Sequence, residues 1–117
     1  MFLVDTSCWV EHLRHGSPRL SALLLDNQVC VHPWVIGELA CGSLSRRAEI
    51  LGYLKALPTL PVVSDDEVLR FIAQHGLHGR GLGWVDTALL ASSQKAGVQL
   101  WSLDRRLALA AQALQKH

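Results

Sequence analysis

The chain has 117 residues, half of them hydrophobic, with 11 lysines and arginines against 10 acids and a formal net charge of +1. That length suits one domain, residues 1–117, and the balanced charge excludes a polybasic nucleic-acid binder, so cations that meet a nucleic acid must be grouped locally. A mean hydropathy of +0.21 leaves apolar surface for a partner, and a homodimer is the expected one.

Met1–Val4 read as a short buried strand that runs straight into Asp5. Trp9, Val10 and Leu13 then share one helical face. Gly16–Pro18 break the chain, and a second helix runs to Asp26–Asn27. Gln28–His32 form the next strand, and Pro33 sits where a first helical turn accepts proline, opening a helix through Gly42. Ser45–Leu57 continue as a helix closed by Pro58. Thr59–Ser64 are expected as a third strand, with Pro61 near its start. Asp65–Leu77 are an amphipathic helix with its acids in the first turn, where they complement the helix dipole. Its expected core face is Val68, Leu69, Ile72 and Ala73. A glycine-rich loop, His78–Gly83, leads to a helix that Gly97 stops, then to a fourth strand over Val98–Ser102 and a last helix to His117.

Strands alternate with helices, and some strands are apolar throughout. That pattern predicts an α/β fold: three layers, with a central parallel sheet of four or five strands covered by helices on both faces and right-handed crossovers. Asp5 cuts the first apolar run before a signal peptide could form. No run approaches the ~20 apolar residues of a membrane span. A cytoplasmic protein without a membrane partner is expected. Cys8, Cys30 and Cys41 sit singly among apolar residues with no C-x-x-C spacing and are expected as reduced core thiols.

Four acids stand apart from the rest. Asp5 ends the first strand, and in open parallel sheets the ligand crevice lies beyond the carboxyl ends of the strands. The plainer alternative is that Asp5 caps the following helix. Glu38 is the only charge between Gln28 and Ser45, in a helix otherwise made of Trp34, Val35, Ile36, Leu39, Ala40 and Cys41. Asp86 lies in the first turns of an apolar helix with no further charge before Lys95. Asp104 follows the fourth strand, where it competes with Ser102 as a helix cap. Clustered carboxylates repel one another, so at least one should have a raised pKa. Such a cluster makes sense around a cation, and all-oxygen donors favour Mg²⁺ or Mn²⁺. His75-x-x-His78 lacks the matching second pair that a zinc site needs.

The segments FLVDTSCWV, VIGELACG, GLGWVDTALLASS and LWSLDRRL, in this order and over almost the whole chain, resemble the PIN-domain nucleases, specifically the VapC-type toxins of toxin–antitoxin pairs. The resemblance implies that Asp5, Glu38, Asp86 and Asp104 are the four acidic positions. In the family these hold one or two Mg²⁺ or Mn²⁺ ions and cut RNA by metal-assisted hydrolysis. Asp5 and Asp86 are the expected direct ligands, and Glu38 and Asp104 further ligands or water positioners. Ser7 and Ser102 fall at supporting hydroxyl positions. Arg80, Arg105 and Arg106 are the expected phosphate contacts, with His12, Arg14 and His15 as further candidates. The resemblance also implies a VapB-type antitoxin that plugs the acidic site. Two departures from the family pattern stand out: the chain stops at LQKH, where family members usually finish with a fifth strand, and two arginines follow Asp104 where an acid and an aromatic are usual.

Two alternatives carry different chemistry. A haloacid-dehalogenase-type phosphohydrolase also begins with an acid after the first strand, but needs a second Asp two residues on, where this chain has Ser7. A non-catalytic PIN-like scaffold or RNA-binding module would be marked by loss of one or more of the acids, and none is lost.

Overall fold

A computed structural model describes residues 1–115. Three short strands, β1 (Phe2–Val4), β2 (Val29–Cys30) and β3 (Gln99–Trp101), form a parallel sheet in the order β2-β1-β3. Phe2 is in register with Val29 and Gln99, and Val4 with Trp101. Successive strand side chains point to opposite faces. Leu3 and Val4 are both fully buried, so both faces of the central strand are covered. The seven helices are α1 (Thr6–His15), α2 (Pro18–Leu25), α3 (Pro33–Ala40), α4 (Arg47–Ala56), α5 (Asp65–Gln74), α6 (Trp84–Ala96) and α7 (Arg105–Gln115). None is long and apolar enough to cross a membrane among the described residues.

Local chemistry starts and stops these helices where the sequence suggests. Ser17 caps α2 by accepting from the Leu20 N–H at 3.2 Å, and Pro18 follows at the first helical position. Ser64 does the same for α5 by accepting from the Glu67 N–H. His32 caps α3: its Nδ1 accepts from the Trp34 N–H at 3.1 Å. That ring is wholly buried, and burial lowers its pKa, so it stays neutral and keeps the lone pair the cap requires. Gly97 ends α6 at φ +70°, a left-handed conformation that glycine adopts without a Cβ penalty.

The sheet is smaller than the expected four or five strands. Thr59–Ser64 are not a strand. Pro58 and Pro61 have no N–H to give a ladder, and the segment keeps a single parallel bridge, Thr59 to Val31. Two bonds hold it, Val31 N–H to the Pro58 carbonyl at 2.8 Å and Leu60 N–H to the Val31 carbonyl at 2.9 Å. The expected second strand likewise narrows to β2 and that one bridge. The end of the last expected helix, 116–117, lies outside the described residues.

Two further expectations are corrected. On α5, Val68 is buried with Phe71 and Ile72 packed beside it, whereas Leu69 and Ala73 face outwards. Cys41 is exposed just past α3, while Cys8 and Cys30 are buried free thiols. The apolar stretch from Val29 to Cys41 is absorbed largely by the chain's own core, where Val29, Cys30, Val31, Val35 and Leu39 are buried with Leu3, Val4, Trp9 and Leu89. It therefore supplies little surface for a dimer. The large apolar side chains left outside are others, including Leu25, Leu69, Leu103 and Leu109.

Candidate active site at the carboxyl ends of the strands

Asp5 directly follows β1, and Ser102 directly follows β3. The pairing of Val4 with Trp101 sets them side by side at the carboxyl edge of the sheet. The Asp5 N–H extends the ladder by one bond to the Trp101 carbonyl, 2.9 Å away. Asp5 has the backbone of a helix cap, yet its carboxylate caps nothing. Instead Oδ2 accepts from the Ser102 hydroxyl at 2.7 Å and from the Ser7 hydroxyl at 3.0 Å. Ser7 also accepts from the Leu103 N–H, and Ser102 from the Asp104 N–H. The capping alternative therefore fails. The carboxylate is 7% exposed, fixed through one oxygen, and Oδ1 accepts no hydrogen bond from any described residue.

Of the other three acids, Glu38 comes from α3, Asp86 from α6 and Asp104 from the cap just before α7. Asp86 is in the first turn of α6, half-buried, and accepts from the Gly83 N–H at 3.1 Å. Burial is the main cause raising its pKa, and the charges of Asp5 and Asp104 raise it further. The Gly83 bond opposes them without cancelling the shift. A raised acid was expected from repulsion, but desolvation leads. Asp104 is exposed and caps α7, its Oδ1 accepting from the Leu107 N–H at 3.1 Å. Glu38, exposed on α3, accepts from the Thr6 hydroxyl at 2.6 Å. That bond ties it to the residue beside Asp5.

Asp5, Asp86 and Asp104 thus lie within reach of one another's charge, and Glu38 is tethered next to them. No three His, Cys, Asp or Glu side chains among the described residues converge tightly enough to grip one ion as they stand. Three of the acids take nearby donors instead: a backbone N–H for Asp86, another for Asp104 and a hydroxyl for Glu38. The donor set nevertheless fits a hard divalent cation. The acids and the serine hydroxyls offer only oxygen, Asp5 keeps one carboxylate oxygen unclaimed, and Asp86 resists ionisation beside two anions.

The thiol nearest this cluster is not a nucleophile. Burial pushes Cys8 up to about 11, and the Asp5 charge adds to the shift. Its thiolate is scarce at neutral pH.

Arg105 and Arg106 follow Asp104 at the start of α7, and Arg80 lies in the glycine loop before α6. All three are exposed, and none pairs with a described carboxylate. Arg106 packs against that loop: a Cβ at Gly81 would meet its Nη1 at 2.7 Å, and Gly81 sits at φ +78°. The positive φ favours glycine there, whereas the flexible end of Arg106 could swing away from a Cβ. Three of the histidines are otherwise engaged. His12 accepts from the Ser17 N–H, His15 is beside Glu11, and His75 lies against the Phe71 ring. Arg14, His15 and Glu38 line a cavity of about 610 Å³ between α1, α3 and α4.

Sequence reasoning missed the bond from Thr6 to Glu38 and the contact of Arg106 with Gly81. A hydroxyl next to an isolated acid, and a glycine-rich loop before another, were the available signals.

The PIN domain family matches residues 2–113. A curated relative, Ribonuclease VapC32 of Mycobacterium tuberculosis, is 50% identical over 108 residues, covering 92% of this chain and 87% of the relative. Among solved structures, PAE2754 from Pyrobaculum aerophilum superposes with a TM-score of 0.67 at 17% identity, covering 99% of this chain and 96% of the other. FitAcB from Neisseria gonorrhoeae gives a TM-score of 0.63 at 19% identity, covering 96% and 94%. At such identities the two structures speak for the fold.

Proposed function

This chain belongs to the PIN-domain family, among the VapC-type ribonucleases, and from that membership we propose that it is an Mg²⁺- or Mn²⁺-dependent endoribonuclease, the toxin of a type II toxin–antitoxin pair. The observation that carries the site assignment is Asp5. It is a buried carboxylate at the end of the central strand, held through one oxygen by Ser7 and Ser102 and leaving the other unclaimed.

In this reading Asp5 and Asp86 are direct ligands of the cation, and Glu38 and Asp104 complete the donor set. When bound, the ion supplies a Lewis acid for the scissile phosphate and an attacking water of lowered pKa. The chain's own part is orientation and charge. The two serine hydroxyls fix the plane of the Asp5 carboxylate. A cation bound there would offset the burial and the neighbouring negative charge that raise the Asp86 pKa. Arg80, Arg105 and Arg106, free of partner acids, hold the RNA phosphates beside the cluster. A VapB-type antitoxin encoded alongside covers the acids, and the pair acts in the cytoplasm.

Purified protein should cut RNA in millimolar Mg²⁺ or Mn²⁺, stop in EDTA and resume when metal is restored. Metal should also raise the melting temperature, because it binds the folded state. RNA cleavage that persists undiminished in EDTA would end the metal reading.

The proposal includes a homodimer, built on outward-facing apolar side chains such as Leu25 (84% exposed), Leu69 and Leu109. Sedimentation at micromolar concentration without antitoxin should give twice the chain mass; a strict monomer would remove the dimer from the proposal.

A further inference from the structure

Thr6 opens α1, one residue after Asp5. A threonine inside a helix can return its hydroxyl to a carbonyl of the preceding turn. At the first helical position there is no preceding turn. The Thr6 hydroxyl instead leaves its own helix and donates to Glu38 Oε1 on α3, 32 positions away in the chain, at 2.6 Å. A bond that short to a carboxylate is charge-assisted.

Glu38 has no other hold. It is exposed on the last full turn of α3, forms no ion pair with a described residue, and Oε2 accepts no hydrogen bond among them. An exposed glutamate with three rotatable bonds samples many rotamers. Among the described residues, the Thr6 hydroxyl is the group that selects among those rotamers. It sits on the residue adjoining Asp5, so the same short stretch, Asp5-Thr6-Ser7, sets the orientation of two acids.

We infer that Thr6 is a positioning residue: its hydroxyl holds Glu38 turned toward Asp5, so that the two carboxylates present their unclaimed oxygens, Oε2 and Oδ1, to the same cation. The inference rests on the metal-dependent reading above and assigns Thr6 no contact with metal or RNA. Partners that orient a ligand commonly matter about 10- to 100-fold in metal affinity.

The test is Mn²⁺ binding by calorimetry to the wild-type protein, Thr6→Val, Thr6→Ser, Glu38→Gln and the double variant Thr6→Val/Glu38→Gln. RNA cleavage against Mn²⁺ concentration is measured in parallel. Thr6→Val keeps the shape and removes the donor. It should weaken Mn²⁺ binding about tenfold and raise the Mn²⁺ needed for half-maximal cleavage, while the metal-free melting temperature barely moves. Thr6→Ser should restore both. In the Glu38→Gln background Thr6→Val should add little, because the group it acts through has lost its charge.

A Thr6→Val protein that binds Mn²⁺ like wild type overturns the inference and leaves the ribonuclease reading intact. So does an equal loss in both backgrounds, which would mean that Thr6 acts by another route. Coupled Mn²⁺ binding without RNA cleavage would sustain the role of Thr6 and sink the nuclease. Wild-type protein that binds no Mn²⁺ overturns both.

Discussion

Asp86→Asn should remove RNA cleavage while leaving a folded protein. Asparagine keeps the size of the side chain, and its carbonyl can still accept from the Gly83 N–H, so the start of α6 is preserved. What disappears is the negative charge that a hard cation requires. Residues that only orient a metal ligand are worth about 10- to 100-fold, so loss of a ligand should exceed a hundredfold in rate at matched Mg²⁺. Stability in metal-free buffer should move the other way. The folded protein holds the Asp86 proton more tightly than the unfolded chain does, because burial and two neighbouring acids raise its pKa. Between the unfolded value, about 3.9, and the raised folded one, the native state binds the extra proton. Wild-type stability is therefore drained as pH climbs through that window. The asparagine variant has no such loss and should melt at least as high as wild type at neutral pH. Denaturation curves at pH 3.5 and pH 7, with circular dichroism to confirm folding, provide the check. A folded variant that cuts RNA at the wild-type rate would remove Asp86 from the site.

Leu89→Ala should do the reverse. Leu89 lies on the same helix as Asp86, is wholly buried, and packs in the main core with Leu3 and Val4. Cutting a buried leucine to alanine costs about 2–5 kcal/mol, depending on how far the cavity collapses. That is a large share of the ~5–15 kcal/mol that holds a domain together. For a chain of this size it should lower the melting temperature by on the order of 10 °C. Cleavage per folded molecule, measured well below the new melting point, should stay near wild type, because no acid has moved. Differential scanning calorimetry paired with a cold activity assay separates the two effects. A melting temperature within a degree or two of wild type would show that α6 is not anchored by this residue.

These two variants divide what the sequence revealed from what it hid. Helix order was legible because caps and breakers act locally: Ser17 before Pro18, Ser64 before three acids, Gly97 at the end of α6. Asp5 was legible because a charge at the end of an apolar run has few places to go. The third strand was misread because an apolar segment with two prolines looks extended yet cannot give a ladder its N–H groups. On α5 the periodicity alone admitted either Leu69 or Phe71 to the core. The packing of α5 on α6, which sequence spacing does not encode, chose Phe71. Asp104 was half legible: its capping role and its place among the acids coexist, since the cap uses Oδ1 and the charge reaches Asp86 through space. The link between Thr6 and Glu38 joins two helices, and no local signal reports which hydroxyl meets which acid.

The order β2-β1-β3 has a consequence for when the site comes into being. Its central strand precedes both of its neighbours in the chain, and β3 is the last of the three to be made. Asp5 waits for Ser102, 97 positions later, to supply the shorter of the two hydrogen bonds that orient its carboxylate. Chains emerge from the ribosome amino terminus first, so a nascent chain carries Asp5, Glu38 and Asp86 before it owns the strand that assembles them. A site built on this topology stays unassembled until β3 and Ser102 have been made.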